Sequence, residues 1–302
     1  MSKFKNLFVP FLTLIVIVIG NYVIVAQNVV TGDWKAEYRT EKSDAGERVQ
    51  ITFSRKSGKG KNQMGSSYAL SELQGLSESQ INGANTNVRF SLVREAGTIE
   101  CEGTFKNGRG EGTYTFTPNG EFVSAMKSRG FEFDKRIARS NEDAVENQLF
   151  AAATLNVTVA LADDLLSSDF GKLETEDLFK AAIFKIDGKF AREMKESGFQ
   201  NLTFDDLVKA RIFKVDADFV REVAKMGFER EPFESLVKMR IFKITPEFLS
   251  EIRAEGFSDL EIEQVVKLRI FNIDAEYIRK ARAEGVPLDV EKLVQKKLGV
   301  LR

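Results

Sequence analysis

The chain has 302 residues, 43% of them hydrophobic, which is enough for two domains with sizeable cores. Its formal net charge of −1 excludes a global electrostatic field that would favour nucleic acid or an anionic membrane. With no histidine and one cysteine, the chain cannot build a Cys/His zinc site or an intramolecular disulfide, and it lacks the commonest general base. We therefore expect no metal and no cofactor.

The first 27 residues are predicted to be a signal peptide. Lys3 and Lys5 form a short basic region, residues 12–19 form a dense apolar run, and residues 25–27 are similar to a small-residue cleavage site. The alternative is an uncleaved anchor, because residues 7–26 are just long enough to span a bilayer. In both cases the later residues are expected to be extracytoplasmic, either periplasmic or secreted, or else anchored at the inner membrane.

Residues 28–119 are predicted to form an antiparallel β domain. Apolar and polar residues alternate in segments such as 34–38 and 88–93, which is the period of half-buried strands. Asn107 and Gly108 lie between two further alternating segments and are the strongest short-range signal for a tight hairpin turn. We expect about six strands, curled into a small β-sandwich or an open barrel. The stretch 57–67, rich in Gly, Lys and Ser, is predicted to be a loop.

A 29-residue repeat organises the rest of the chain. The Ile-Phe pairs that mark it start at Ile183, Ile212, Ile241 and Ile270. A fixed step of this size is typical of stacked-repeat proteins. A partial copy starts at Phe122, and the charged stretch 134–148, a surface loop or a distorted extra helix, breaks the register. We therefore predict a first half-repeat with a charged insert, residues 120–148, and an α-helical solenoid, residues 149–302. The predicted fold class is α+β and multidomain.

Each full repeat is predicted to contain two short helices. Residues that cap a helix start with a side-chain oxygen recur in one slot; they are Asp187, Asp216, Thr245 and Asp274. A glycine closes the same helix, as is usual just past a helix end; these glycines are Gly198, Gly227, Gly256 and Gly285. The second helix carries its apolar face at Phe204, Leu207, Val208 and Ile212. Helices this short need neighbours, so stacking is expected to stabilise the array.

Basic residues recur in two slots of the second helix, and we call this set the basic column. Its members are Lys209, Arg211, Lys238, Arg240, Lys267 and Arg269. One interpretation is a binding stripe for an acidic protein, a polyanionic glycan or a lipid head group. The other is a ladder of ion pairs between repeats, or plain solvated charge, because acidic residues recur as regularly as the basic ones. They are Glu193, Glu222 and Glu251 on the first helix, and Asp205, Asp206, Glu234 and Glu261 at the start of the second.

No other motif singles out an active site. The adjacent carboxylates Asp163 and Asp164 lie at a predicted helix start, where the helix dipole favours negative charge. The glycine-rich stretches around Lys61 and Arg109 lack the spacing of a phosphate-binding loop. Cys101 lies in a predicted strand and has no histidine to activate it. We predict that the chain is not an enzyme; a mechanism using only carboxylates and lysines is the remote alternative.

Three segments carry a resemblance to a known type of protein. Residues 236–242 and 245–257 of the repeat, and the hairpin 97–118 ahead of it, resemble exported regions of bacterial membrane sensor-peptidases of the beta-lactam-sensor antirepressor type. The resemblance covers residues 31–302 and implies an exported module from a signalling context. This sequence does not contain the multi-span membrane domain or the His-Glu-x-x-His zinc site of those proteins, so the resemblance implies no peptidase activity. Residues 102–116 are also similar to one membrane-occupation-and-recognition-nexus hairpin.

These observations predict a non-enzymatic exported bacterial binding or scaffold protein, which acts through protein–protein contacts in envelope sensing or signalling. The expected partner is a protein, with a membrane sensor as one candidate. The alternative is a membrane-anchored structural or regulatory component of the envelope. We expect no nucleic-acid partner, and membrane contact only through residues 7–26 if that segment stays uncleaved.

Overall fold

An antiparallel sheet followed by a series of helices makes up the fold. A computed structural model describes residues 29–40, 47–57, 60–133, 144–168 and 170–301. Within these ranges all strands precede residue 119 and nearly all helices follow it, which confirms the α+β class. The predicted signal segment lies outside the described residues.

Seven strands form one sheet. They are β1 (Val30–Thr40), β2 (Glu47–Ser57), β3 (Gly60–Ala69), β4 (Leu73–Gln74), β5 (Thr86–Arg94), β6 (Gly97–Lys106) and β7 (Arg109–Pro118). The order across the sheet is β3-β2-β1-β7-β6-β5-β4, and all neighbours are antiparallel. The sheet curls into a half-barrel with β3 and β4 at its edges. A single curled sheet agrees with the predicted open barrel and not with a sandwich, which needs two packed sheets.

The hairpin of β6 and β7 forms as predicted, whereas one predicted loop is wrong. Asn107 and Gly108 both have positive φ, 49° and 81°, as the tight turn requires. The predicted loop 57–67 is largely strand β3, which pairs along β2. Because β3 is an edge strand, the side chains from Asn62 to Ser67 keep contact with solvent, and their polar composition reflects that exposure.

Close packing around Trp34 explains two glycines in the sheet. The Trp34 side chain is fully buried, and its indole Nε1 donates a hydrogen bond to the backbone oxygen of Glu102 at 3.2 Å. The ring lies over Gly103, where an added Cβ would be 2.8 Å from it. Gly112, directly opposite Gly103, has even less room, because an added Cβ would be 2.0 Å from the backbone oxygen of Glu102. The curl of the sheet therefore depends on backbones that approach without side chains between them.

One short helix, α1 (Glu78–Ile81), lies between β4 and β5, after a 3₁₀ turn at Leu70–Glu72. Within the described residues twelve further helices follow the sheet. They are α2 (Gly120–Lys127), α3 (Ala144–Leu155), α4 (Val159–Leu166), α5 (Thr175–Phe184), α6 (Gly188–Glu196), α7 (Phe204–Phe213), α8 (Ala217–Lys225), α9 (Phe233–Ile241), α10 (Pro246–Ala254), α11 (Ile262–Ile270), α12 (Ala275–Ala283) and α13 (Val290–Lys297). Among the described residues no single helix has the length and apolar composition of a membrane span; residues 147–155 and 159–166 meet that test only together, across an 83° bend.

Helix α3 joins the sheet to the later helices. The Phe150 ring stacks on Tyr114 at a centroid distance of 5.1 Å and meets Phe53 and Phe116 edge-on. The Tyr68 hydroxyl donates a hydrogen bond to the backbone oxygen of Thr154 at 3.1 Å. The predicted charged insert 134–148 thus ends in the first turn of α3, and its residues 134–143 lie outside the described residues. Sheet and helices share one hydrophobic core through this helix.

The predicted helix ends of the repeat are confirmed. The side chains of Asp187, Asp216, Thr245 and Asp274 accept hydrogen bonds from the amides of Phe190, Phe219, Phe248 and Tyr277. The four closing glycines have φ between +83° and +107°, a region that residues with a Cβ rarely adopt. Pro246 is the first residue of α10, where its missing amide hydrogen costs nothing. Helix α2 has the same end, since Gly130 has positive φ and Phe131 is buried.

The Gly112→Ala variant should lower the free energy of unfolding by about 2–3 kcal/mol or more, because the new methyl group would clash with backbone that has no free space. The matched control is Gly120→Ala at the start of α2, where an added Cβ meets nothing within 4 Å. That change should be neutral or stabilising by up to about 1 kcal/mol. Urea unfolding monitored by Trp34 fluorescence measures both, and equal stability of the two variants would contradict this packing.

Candidate functional site

The second helices of the repeat contact one another in series, and their lysines bridge the neighbours. Helices α5, α7, α9, α11 and α13 are packed in that order. The bridging pairs are Lys180–Asp205, Lys209–Glu234, Lys238–Glu263 and Lys267–Glu291. The Lys209 and Lys238 Nζ atoms are each 2.6 Å from a carboxylate oxygen, and the hydrogen bond with Glu234 raises the pKa of Lys209. Each lysine is 37–45% exposed, so a pair contributes about 0–1 kcal/mol.

The arginines of the basic column make a stronger bridge to the preceding unit. The guanidinium groups of Arg211, Arg240 and Arg269 lie 3.7, 3.6 and 4.5 Å from the centres of the Phe190, Phe219 and Phe248 rings. Each also donates a hydrogen bond to a backbone oxygen 26 or 27 residues earlier, on Lys185, Lys214 and Phe242. Each arginine therefore joins its own helix to the first helix of its own unit and to the end of the second helix of the unit before it.

These contacts place all six residues of the basic column between repeats. Three lysines are paired with carboxylates and three half-buried arginines are engaged by rings and carbonyl groups. The geometry is that of the second interpretation, the ladder between repeats. Binding of a polyanion by the column stays a prediction, and it would have to compete with carboxylates that already occupy the lysines.

A row of exposed isoleucines lies beside the ladder, and we call it the isoleucine column. Its members are Ile183, Ile212, Ile241 and Ile270, which are 53%, 50%, 47% and 48% exposed. Leu298, 59% exposed, continues the row one unit later. Each isoleucine follows a ladder lysine by three residues, so the two share one helix face.

The exposure of Ile212 corrects the sequence analysis, which placed it on the apolar face with Phe204 and Leu207. Those two side chains are buried, but Ile212 is half exposed. At about 100° per residue, Ile212 lies about 20° from Asp205 on the helical wheel and about 60° from Lys209. The sequence signal that could have revealed this exposure was the closeness of Ile212 to charged residues on the helical wheel. Ile212 lies eight residues after Phe204, and a residue at that spacing has already rotated away from the buried face.

Three lysines in left-handed backbone conformation follow members of the isoleucine column by two residues. Lys185, Lys214 and Lys243 end the second helices with φ of 56°, 56° and 52°, and Asn156 and Asn272 take the same conformation at the same 29-residue step. Residues other than glycine lose about 1–2 kcal/mol there. All three lysines are exposed, and within the described residues none of them makes an ion pair. Their ammonium groups are therefore open to an external anion, whereas the ladder lysines already have carboxylate partners.

Other concave features of the described residues include two grooves, a cleft, and a polar hollow of about 470 Å³ on the sheet beside Lys35 and Arg109. The grooves, of about 640 and 560 Å³, lie between α6 and α8 and share Val220 and Ala224 in their walls. The cleft, of about 310 Å³, lies between β2 and α3 and is lined by Phe53, Tyr114 and Phe150. Burial raises the pKa of Tyr114 to about 12, so this hydroxyl stays protonated at neutral pH.

The cysteine and the adjacent carboxylates that the sequence offered as possible reactive groups have structural contacts. Cys101 is buried in β6, and burial raises the pKa of its thiol, which makes the side chain unreactive. The Asp163 carboxylate pairs with Arg129, which lowers its pKa, and Asp164 accepts a hydrogen bond from the backbone of Gly188 at 2.6 Å. In the described part of the chain no group of three or more His, Cys, Asp or Glu side chains could hold a metal ion.

Comparison of the chain with protein-family models, with curated proteins and with solved structures found no match. The resemblance to exported regions of sensor-peptidases therefore stays a prediction. Functional interpretation of this chain rests on its own geometry.

Replacement of Arg240 by Met keeps most of the apolar stem but removes the guanidinium, so the Arg240→Met variant should lose about 2 kcal/mol of unfolding free energy. Two controls separate charge from position. Lys238→Met removes only an exposed ion pair, and Arg221→Met removes only a pair within α8, so each should cost no more than about 1 kcal/mol. Urea unfolding at two salt concentrations measures all three; a ranking with Lys238→Met as the most damaging change would contradict this assignment.

Proposed function

We propose that this chain is a non-enzymatic, exported binding protein of the bacterial envelope, and that the isoleucine column is the surface that meets a protein partner. The observation that carries the proposal is the exposure of one large aliphatic side chain in the same slot of four successive units. Single exposed apolar residues are ordinary on a protein surface, whereas an aligned and continuous set is typical of an interaction site.

We also propose that residues 149–302, from α3 to α13, form an α-helical solenoid of 29-residue, two-helix repeats. The serial packing of the second helices and the bridges that recur 24 to 27 residues apart support this architecture. A solenoid presents an extended surface on which equivalent residues of successive units line up. The isoleucine column would then be a straight apolar stripe along the array, with the lysine–carboxylate ladder beside it.

A photo-reactive amino acid at position 212 should crosslink one recurrent protein in intact cell envelopes, because that side chain would lie in the interface. The same residue at position 166 is the matched control, since Leu166 is a similarly exposed aliphatic side chain, 43%, on the first-helix side of the array. Mass spectrometry of the adducts reads the result. Equal adducts at both positions, or none at position 212, would contradict the proposed surface.

The competing proposal, a membrane-anchored structural or regulatory component, differs in the fate of residues 7–26. N-terminal sequencing of the protein isolated from its host should start near Gln27 or Asn28 if the chain is released by cleavage. An intact Met1 would instead support permanent anchoring. The proposed binding surface is compatible with a released protein and with an anchored one. N-terminal sequencing therefore tests where the chain is located and does not test its binding surface.

A further inference from the structure

We infer that the partner of the isoleucine column is an amphipathic helix that lies along the stack of second helices, with one apolar residue every seven positions and acidic residues beside them. This inference rests on the proposed function and adds the chemistry of the partner. Its basis is the combination of three features of the face: spacing, charge and width.

The spacing of the column matches a helix better than an extended chain. Packed helices are about 8–10 Å apart, which sets the distance between neighbouring isoleucines of the stack. Seven residues of an α-helix rise about 10.5 Å and return to nearly the same face. An extended strand covers that distance in three residues at about 3.3 Å each, but its third residue points to the opposite side. A strand therefore cannot place equivalent side chains on successive isoleucines.

A polyproline helix also has a suitable repeat, about 9 Å per turn, but it docks on aromatic side chains. The exposed residues of this column are isoleucines and a leucine, while the neighbouring Phe184, Phe213 and Phe242 are partly buried in the core. A row of exposed aliphatic side chains is the kind of surface on which the apolar face of an amphipathic helix packs.

The charge of the face selects acidic residues in the partner. The ladder offers no unpaired positive charge, since each lysine is matched by a carboxylate on the next helix, and Lys180 and Lys209 also pair with a carboxylate on their own helix. Lys185, Lys214 and Lys243 add three positive charges along one side of the isoleucine column, without ion pairs among the described residues. Their left-handed backbone fixes them at the same place in each unit. A helix with Glu or Asp beside its apolar positions would pair with this edge.

The width of the face favours a rod-shaped partner over a lipid surface. Each second helix offers one isoleucine, and the ladder borders it on the same helix face. A stripe one residue wide fits a single helix laid along it. A bilayer would engage a broad apolar surface, and the carboxylates of Glu234 and Glu263 would face anionic lipids unfavourably.

The test uses photo-reactive residues placed singly at positions 183, 212, 241 and 270 of the full chain in its native envelope. The adducts should map to one protein segment, at partner residues about seven positions apart for successive sites. Steps of about three residues would overturn the helix in favour of a polyproline segment, and adducts with lipid alone would overturn it in favour of a membrane. The proposed function would survive the first of these results, whereas it fails if position 212 yields no protein adduct at all.

A second experiment tests whether the partner is acidic. The probe is a 28-residue synthetic helix with Leu at one heptad position and Glu beside it. A matched peptide has Lys in place of each Glu. The purified chain should bind the Glu peptide, and the Ile212→Asn, Ile241→Asn double variant should weaken binding at least about tenfold. The triple variant Lys185→Glu, Lys214→Glu, Lys243→Glu should reverse the preference between the two peptides. Leu166→Asn and Lys106→Glu are the surface controls, and unchanged preference in the triple variant would overturn the acidic partner.

Discussion

A helix of eight to ten residues gains too little from its own hydrogen bonds to stand alone in water, so every helix from α5 to α13 depends on the units before and after it. The arginine of each second helix meets this constraint most directly. It lies on the phenylalanine ring of the preceding first helix and donates to a carbonyl at the end of the preceding second helix. One side chain thus connects three short helices, and Lys297 does the same at Tyr277 and Asn272 in the last unit. The lysine ladder adds less, because its pairs are open to solvent.

The sheet supplies what the first unit lacks, namely a neighbour on its N-terminal side. Helix α3 places Phe150 among the rings of the curled sheet, and its last turn receives the hydroxyl of Tyr68. A stack of marginal units needs one end fixed on a stable body, and a seven-stranded sheet with a buried Trp34 is such a body. The close glycine backbones under that ring are therefore coupled, through α3, to the stability of helices far along the chain.

Features governed by local backbone chemistry could be predicted from the sequence. The hairpin at Asn107, the caps at Asp187 and its equivalents, and the closing glycines follow from φ preferences and free amides that each segment must satisfy itself. Features that depend on contacts between residues far apart in the sequence could not be predicted in this way. Strand β3 has the composition of a loop because it is an edge, and its pairing with β2 is a tertiary fact. The arginines were predicted to be solvent-facing or ion-paired. Instead, Arg211 packs on a phenylalanine ring 21 residues earlier and donates a hydrogen bond to a backbone oxygen 26 residues earlier. The α-helical solenoid itself remains a proposal that this regularity supports.

The same distinction between local and long-range contacts explains why the sequence did not reveal the exposed isoleucine column. Sequence periodicity distinguishes apolar from charged residues, so it assigned Ile212 to the core and left the basic column open between a binding stripe and a ladder of ion pairs. The structure reverses the exposure: the charged slots are engaged in bridges between units, while Ile212 and its equivalents are left half open. Among the described residues of this face, the lysines of the ladder and the arginines form bridges between helices. The isoleucines and the left-handed lysines remain exposed to solvent. Those lysines have a left-handed backbone conformation, which costs glycine less conformational free energy than lysine. At Lys185 and Lys214 the next unit contacts the backbone oxygen, which accepts a hydrogen bond from an arginine. The exposed side chains of these lysines therefore agree with the proposed acidic partner, because within the described residues they form no ion pair.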